Sequence, residues 1–237
     1  MKVIAHRGYS AKFPENTLIA FKEALRLGAH GIELDVHLTK DHHVVVIHDE
    51  QIDRTTDGKG YVKDYTLQQL QTFDAGSWFN PLFAAEKIPT LAQVLALVKE
   101  TDAIVNIELK TNVFPYEGLL EEVFKLVKLF NLEERTILSS FDHEVVVKAL
   151  TQQSKIAVAP LFSDLIINPW AYTKELGASS MHVSGYMLLR QQVQENLKEG
   201  AIVRVYTINE IEHIRLVKQL GIDAMITDEV EKALSCL

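Results

Sequence analysis

Charged side chains stand two positions apart in two aliphatic segments, and this spacing places them on one face of a β-strand. Glu33 and Asp35 alternate with aliphatic residues in the segment IELDV, and Glu108 stands two positions before Lys110 in IELK. A buried carboxylate costs several kcal/mol unless a cation or hydrogen-bond donors compensate it. If the two segments are neighbouring strands, the three acids form an all-oxygen site that suits Mg²⁺ or Ca²⁺. An ion-pair network is the alternative that the spacing leaves open.

Two histidines end short β-branched segments and are candidates for acid–base chemistry near neutral pH. His6 ends the segment KVIAH, and His48 ends the segment VVVIH. Ends of parallel strands are where a barrel enzyme keeps its active site, although a single histidine there is also consistent with a packing role. A solvated or structural role is expected for His30, His37, His42, His43, His143 and His213.

An arginine and an acid–amide pair lie close to the first histidine in the chain. Arg7 follows His6 directly, and its guanidinium fork suits the free oxygens of a phosphate beside a cation. The segment PENT opens the first predicted helix, where Asn16 or Thr17 suits the N-cap position. Considered alone, these are an ordinary loop pair and an ordinary cap.

A scaffold of alternating strands and helices is predicted to position these side chains. Short β-branched runs predict strands, and the segments of helical period between them predict helices. The predicted strands are 2–6, 31–36, 44–48, 103–108, 135–140, 156–159, 179–184, 202–206 and 224–227. The predicted helices are 17–27, 91–99, 116–130, 142–152, 168–176, 187–199, 209–220 and 229–234.

The repeated strand–helix units predict the fold class. About eight such units in one chain fit a closed (β/α)8 TIM barrel better than an open doubly wound sheet. A glycine that suits a left-handed helix cap follows several of the helical runs: Gly28, Gly177, Gly200 and Gly221. Residues 50–89 lack a clear strand–helix unit. We therefore predict a single α/β domain over 1–237, with a small insertion at about 50–89 after the second strand region.

Composition excludes several classes of protein. The chain has 237 residues, and its 32 acidic against 24 basic side chains give a formal charge of −8, which argues against general nucleic-acid binding. A single cysteine, Cys236, excludes an internal disulfide and a cysteine-rich zinc site. The apolar run before His6 is too short for a signal peptide, and no run approaches the ~20 residues of a membrane span. A cytoplasmic protein without stable membrane insertion is expected, and its oligomeric state is left open.

A series of motifs resembles the glycerophosphodiester phosphodiesterase family. In chain order they are AHRG (5–8), PENT (14–17), GIELDV (31–36), HD (48–49), DRTTDG (53–58), NIELK (106–110) and GIDAMITD (221–228). The series runs from the first predicted strand to the last, so the resemblance covers essentially the whole chain. Two positions depart from the family's pattern: Tyr206 stands where tryptophan is frequent, and His42 stands where glycine is common.

The resemblance implies a metal-dependent hydrolase with a TIM barrel. Its expected reaction converts a small-molecule glycerophosphodiester into glycerol 3-phosphate and an alcohol. The implied residues are His6 and His48 for acid–base catalysis, Glu33, Asp35 and Glu108 for one divalent cation (Mg²⁺ or Ca²⁺), Arg7, Lys110 and Tyr206 for the substrate, and Glu15 and Asn16 in support. The division of acid and base between the two histidines is left open. A further resemblance, to phospholipases that act through a cyclic phosphate, favours the substrate's own hydroxyl over water as nucleophile.

Two alternatives remain open from the sequence. A phosphodiesterase of the same fold that cleaves lysophospholipids would need an open apolar trough, for which Trp78, Phe79 and Phe83 of the insertion are candidates. Such aromatic residues more commonly pack a satellite core. A non-catalytic barrel that binds phosphorylated metabolites or a partner protein is the other alternative. Binding alone requires no acid–base pair, so the presence of both histidines argues against it.

Overall fold

Parallel strands form a closed barrel in the structure, a computed structural model that describes residues 1–152 and 154–237. The barrel closes because its first strand pairs with both the second and the last. The barrel strands are β1 (Lys2–Ala5), β2 (Gly31–Leu38), β4 (Ile104–Leu109), β5 (Thr136–Ser140), β6 (Ala157–Phe162), β7 (Ser180–Ser184), β8 (Ile202–Tyr206) and β9 (Ala224–Thr227), and β3 (Val44–Val46) is an additional short strand. The predicted (β/α)8 TIM barrel is confirmed.

Helices follow the barrel strands and cover their outer face, and one short helix lies within residues 50–89. They are α1 (Leu18–Arg26), α2 (Leu67–Leu70), α3 (Leu91–Lys99), α4 (Leu119–Leu129), α5 (His143–Leu150), α6 (Pro169–Leu176), α7 (Gln191–Lys198), α8 (Ile211–Gln219) and α9 (Val230–Ser235). Thr17, Thr90 and Asp142 cap α1, α3 and α5 by accepting hydrogen bonds from first-turn amides. The helix predicted at 187–199 begins later, because Gly185–Met187 forms a separate 3₁₀ turn. None of the described helices is long and apolar enough to cross a membrane.

The strand predicted at 44–48 differs from the prediction in length and role. Strand β3 ends at Val46 and pairs antiparallel with the carboxyl end of β2, so it is not a barrel strand. The chain reverses in a tight turn in which His42 adopts a positive φ of 59°, a conformation that glycine adopts most easily. After β3 the backbone stays beside β2, since the Ile47 amide donates to the Asp35 carbonyl at 3.1 Å. His48 therefore reaches the barrel mouth from the return arm of a hairpin.

Strand β2 separates an apolar exterior from a polar interior. All of its residues are buried. Ile32, Leu34 and Val36 face the surrounding helices and share a hydrophobic core with Phe21 of α1 and Leu95 of α3. The intervening acidic side chains face the barrel axis, as strand alternation predicts. Burial of the aliphatic face against helices therefore holds the polar face inside the mouth.

Residues 50–89 contain the short helix α2 and a small core of their own. Ile52, Val62 and Leu70 pack against Val45 and Ile47 of the β3 arm, which ties the segment to the barrel. Its aromatic side chains also pack together. Ring centroids lie 5.7 Å apart for Trp78 and Phe79, 6.0 Å for Phe79 and Phe83, and 5.6 Å for Phe83 and Phe13. These rings form a satellite cluster with Phe13, which lies in the loop before α1.

Candidate active site

Three acids meet at the carboxyl end of the barrel. Glu33 and Asp35 lie on β2 and Glu108 lies on the neighbouring β4, where Asp35 and Glu108 are register partners. One oxygen atom from each carboxylate lies within 4.8 Å of the other two. Glu33 and Asp35 are buried. The structure thus brings together the acids that strand alternation placed on one face.

Two basic side chains surround this acidic cluster. Lys110 places its Nζ 2.9 Å from Glu108 Oε1 and 3.9 Å from Asp35 Oδ1. Arg7 places its Nε 3.4 Å from Asp35 Oδ2, and its backbone amide donates to Glu33 Oε2 at 2.9 Å. Burial alone would raise the pKa of Asp35. The charges of Arg7 and other nearby cations outweigh that effect and lower the pKa of Asp35 to about 2.

The pKa values of the two glutamates shift in the opposite direction from that of Asp35. Burial raises the pKa of both Glu33 and Glu108, and the negative charge of Asp35 raises each further. The carboxylates outnumber the two basic side chains around them. The cluster therefore favours additional positive charge.

Two buried oxygen atoms in and beside the acidic cluster show whether its chemistry suits a divalent cation. Among the described residues, Oδ1 of Asp35 and Oδ1 of Asn16 are buried without a hydrogen-bond partner. The same two side chains are joined at their other atoms, because Asn16 Nδ2 donates to Asp35 Oδ2 at 2.9 Å. Unpaired oxygen acceptors beside a carboxylate cluster match the ligand chemistry of Mg²⁺ and Ca²⁺. The residues present therefore fit such a cation.

His6 follows β1 and is held by an aspartate from the other end of the chain. Its Nδ1 lies 2.7 Å from Asp228 Oδ1, and Asp228 also accepts hydrogen bonds from Ser10 and Asn209. Burial lowers the pKa of His6, but the Asp228 hydrogen bond and the nearby charge of Glu33 outweigh burial and raise it. Since Nδ1 is committed to Asp228, Nε2 is the atom that remains for chemistry.

His48 is held in a similar way by its neighbour in the chain. Its Nδ1 lies 2.6 Å from Asp49 Oδ1, and Arg54 Nε donates to Asp49 Oδ2 at 2.7 Å. Its Nε2 lies 3.3 Å from the Nζ of Lys110. Burial lowers the pKa of His48, and the charges of Arg7 and Lys110 act in the same direction. Each of the two histidines thus has an aspartate at Nδ1, and its Nε2 is not used by that aspartate.

Glu15 and Asn16 occupy supporting positions at the mouth. Glu15 accepts hydrogen bonds from Arg7 at 2.9 Å and from both terminal nitrogens of Arg54. Its carboxylate therefore orients two arginines, whereas Asn16 contacts the acidic cluster itself through Asp35.

Tyr206 lies across the barrel from the acids, at the end of β8. Its hydroxyl donates to the Phe162 carbonyl at 2.8 Å, and its ring packs edge-on against Phe141. Burial raises the pKa of Tyr206, and the charge of Glu108 contributes. Tyr206 is thus part of the wall of the mouth.

Sequence reasoning did not give roles to Asp49, Arg54 and Asp228. Adjacency to His48 is a signal that could have indicated Asp49. Asp228 is 222 residues from His6, and only its place after the last strand pointed to the mouth.

His37 fits the structural role expected for it. It is buried, with Nδ1 3.0 Å from the Tyr116 hydroxyl and Nε2 3.1 Å from the His48 carbonyl, so it supports the His48 loop.

The two aspartates give a prediction that separates orientation from acid–base chemistry. Asp228→Asn and Asp49→Asn should each lower kcat by about 10-fold to 100-fold, because the amide no longer fixes the imidazole tautomer. KM should change less. Steady-state kinetics check this, with His213→Ala on the exposed face of α8 as the control. Unchanged kcat in both asparagine variants would remove these hydrogen bonds from the mechanism.

Comparison with known proteins decides the family. A family model described as the glycerophosphoryl diester phosphodiesterase family matches residues 6–232. The chain belongs to this family. Family membership confirms the resemblance found in the motifs, and it confirms the expectation of an enzyme of the phosphodiesterase type.

Relatives and solved structures support this membership over the full length. A glycerophosphodiester phosphodiesterase from Caldanaerobacter subterraneus subsp. tengcongensis is 43% identical, covering 97% of this chain and 94% of the relative. A structure of an Oleispira antarctica phosphodiesterase in complex with the product sn-glycerol-3-phosphate is 31% identical, with a TM-score of 0.88 over 100% of this chain and 96% of that one. The Thermotoga maritima glycerophosphodiester phosphodiesterase is also 31% identical, with a TM-score of 0.81 over 100% and 98%.

Proposed function

We propose that this family member hydrolyses glycerophosphodiesters to sn-glycerol 3-phosphate and an alcohol, with the help of one divalent cation, Mg²⁺ or Ca²⁺. The observation that carries the proposal is the meeting of three acids, two aspartate-bonded histidines and two basic side chains at one end of the barrel. A mere binding site has no need of two histidines held in this way. The sn-glycerol-3-phosphate complex of the Oleispira relative supports the same product.

Charge balance explains how an acidic protein accommodates this substrate. A phosphodiester is an anion, and a chain of net charge −8 repels it unless the site reverses the local sign. Arg7 and Lys110 supply positive charge at the mouth. Glu33, Asp35 and Glu108 would hold the divalent cation. When bound, that cation neutralises charge that develops on the phosphate oxygens.

The phosphate group is expected to contact the two basic side chains. Arg7 is held on one side by Glu15 and on the other by Asp35, which fixes the plane of its guanidinium. A fixed guanidinium donates to two oxygens of one phosphate in parallel. Lys110 lies between Glu108 and His48 and brings a point charge to the same side. The phosphate is therefore oriented before any bond changes.

The two histidines would divide the proton transfers between them. One Nε2 removes a proton from the attacking hydroxyl, and the other Nε2 donates a proton to the oxygen of the departing alcohol. Asp228 and Asp49 keep a proton on Nδ1 of His6 and His48, so that both Nε2 atoms exchange protons with the substrate. Tyr206 would form a wall of the substrate pocket, opposite the acids.

A direct assay tests the proposed function. Purified protein should release glycerol 3-phosphate from both glycerophosphocholine and glycerophosphoglycerol, detected through a coupled dehydrogenase reaction. A chelator should abolish release, and Mg²⁺ or Ca²⁺ should restore it. Absence of release with either cation would reject the proposal and favour a barrel that only binds phosphorylated metabolites.

The identity of the attacking hydroxyl gives a further prediction. We expect the glycerol hydroxyl next to the phosphodiester to attack phosphorus, because a group held beside the reacting atom has a large proximity advantage over free water. Its oxygen forms a five-membered cyclic phosphate while the bond from phosphorus to the alcohol oxygen breaks. Water then opens the ring to give glycerol 3-phosphate. A substrate with hydrogen in place of this hydroxyl should lose kcat by at least about tenfold, with a smaller change in KM.

Two measurements check the order of these steps. Steady-state kinetics compare the normal and deoxy substrates. Rapid-quench phosphorus NMR on the normal substrate should detect the transient cyclic ester. An unchanged kcat for the deoxy substrate would show that water attacks directly.

A further inference from the structure

A cavity of about 530 Å³ lies beside the barrel mouth, between the turn after β5 and the loop after β6. Its walls include four aromatic rings, those of Phe141, His143, Phe162 and Tyr172. The volume is several times that of a trimethylammonium group, so size alone sets little preference. The chemistry of the walls therefore decides what the cavity selects.

The lining of this cavity carries negative but no positive charge. Asp164 contributes an exposed carboxylate, and no lysine or arginine is among the described residues that line the cavity. His143 also lines the cavity and has a hydrogen-bond partner at each ring nitrogen. Its Nε2 lies 3.0 Å from the Leu161 carbonyl, which only accepts, and its Nδ1 lies 3.1 Å from the Tyr172 hydroxyl, which can donate.

The cavity adjoins the proposed reaction site. Glu108 is the register partner of Ser139, and Phe141 follows Ser139 by two residues. Strand geometry therefore places the backbone of Phe141 roughly 8 Å from that of Glu108, further toward the mouth. The ring of Phe141 also contacts Tyr206, with centroids 6.0 Å apart. A phosphodiester bound at the acids can therefore extend its alcohol end into this cavity.

We propose that this cavity, the head-group cavity, binds the alcohol portion of the substrate and favours a cationic head group of the quaternary ammonium type. This inference rests on the proposed hydrolysis of glycerophosphodiesters. Aromatic faces attract weakly hydrated cations, and the Asp164 carboxylate complements their charge. An uncharged head group gains neither interaction.

An acyl chain is the competing occupant. Leu165, Ile167 and Leu189 are exposed on the loops after β6 and β7, and aliphatic surface of this kind suits a hydrocarbon. A hydrocarbon chain would, however, bind equally well to aliphatic and aromatic walls and would be indifferent to the Asp164 charge. The two occupants are therefore distinguished by substitutions that keep apolar volume or shape while removing aromatic or charged character.

A comparison of kcat/KM for two substrates provides the first test. In the wild type, kcat/KM for glycerophosphocholine should exceed that for glycerophosphoglycerol, whose head group is uncharged. Asp164→Asn and Phe141→Leu should each reduce the ratio of these two values by about threefold to tenfold. Asp102→Asn, which removes an exposed carboxylate at the opposite end of the barrel, should leave the ratio and both rates unchanged. A ratio that neither cavity substitution alters would overturn the proposal, whether or not an acyl chain binds.

Direct binding of a cation provides the second test. It distinguishes failure of the proposed hydrolysis from failure of the proposed head-group cavity. Calorimetric titration with tetramethylammonium should show binding to the wild type and weaker binding to Asp164→Asn. Lack of binding to the wild type, or equal binding to both proteins, would contradict the head-group cavity. If neither diester releases glycerol 3-phosphate, the proposed hydrolysis fails, and the tetramethylammonium titration still decides the cation preference of the cavity.

Discussion

Asparagine in place of Asp35 should lower turnover by about 10³ and weaken divalent-cation binding in parallel. Asp35 is buried and contacts Arg7, Lys110 and Asn16, and its Oδ1 has no hydrogen-bond partner among the described residues. Loss of the cation would remove several kcal/mol of charge stabilisation from the transition state. Asparagine keeps the shape of the side chain, so the loss reports on charge and ligand chemistry.

The fold should survive this substitution. The charge of Asp35 is one cause of the raised pKa values of Glu33 and Glu108, so its removal relieves repulsion within the cluster. The Arg7 guanidinium retains Glu15 as a partner, and Lys110 retains Glu108. Thermal unfolding in chelator should therefore still show a cooperative transition of a folded protein, while calorimetric titration shows weaker Mg²⁺ or Ca²⁺ binding. Normal cation affinity in Asp35→Asn, with Asp102→Asn as the matched charge control, would contradict the proposed ligand set.

Alanine in place of His6 or His48 should lower kcat by about 10² to 10⁴, the usual contribution of a positioned general acid or base. Cation binding should persist, because neither imidazole belongs to the cluster of three carboxylates. The two rings reach the mouth from unrelated segments, one after β1 and the other after the β3 arm. Near-normal turnover in either variant would exclude that histidine from proton transfer.

Two further variants sharpen this test. The double replacement should cost less than the product of the single losses if the histidines act as a unit. His213→Ala, an exposed histidine on α8, should leave kcat unchanged and controls for the loss of an imidazole as such. A double variant whose loss equals the product would indicate that the rings act in separate steps.

Local patterns were sufficient to predict the succession of strands and helices. Apolar periodicity and capping residues act over a few neighbouring positions, so the boundaries of α3, β8 and β9 are those predicted. The hairpin of β3 departs from the predicted strand because its four β-branched residues, Val44 to Ile47, look the same in a barrel strand and in a short antiparallel arm. Its direction depends on the turn at His42 and on pairing with β2, which the local pattern does not encode.

The sequence by itself determined which side chains share a face of a strand, because alternation along an extended chain fixes that locally. It therefore indicated that Glu33 and Asp35 point the same way. Only the tertiary structure decided which groups from distant parts of the chain meet at the mouth, such as Asp228 with His6 and Arg54 with Glu15. The head-group cavity also depends on the tertiary structure, because its walls come from segments on both sides of β6. Closure of the barrel and the packing of its loops bring these distant residues within hydrogen-bond distance, and no local preference of the chain specifies those partners.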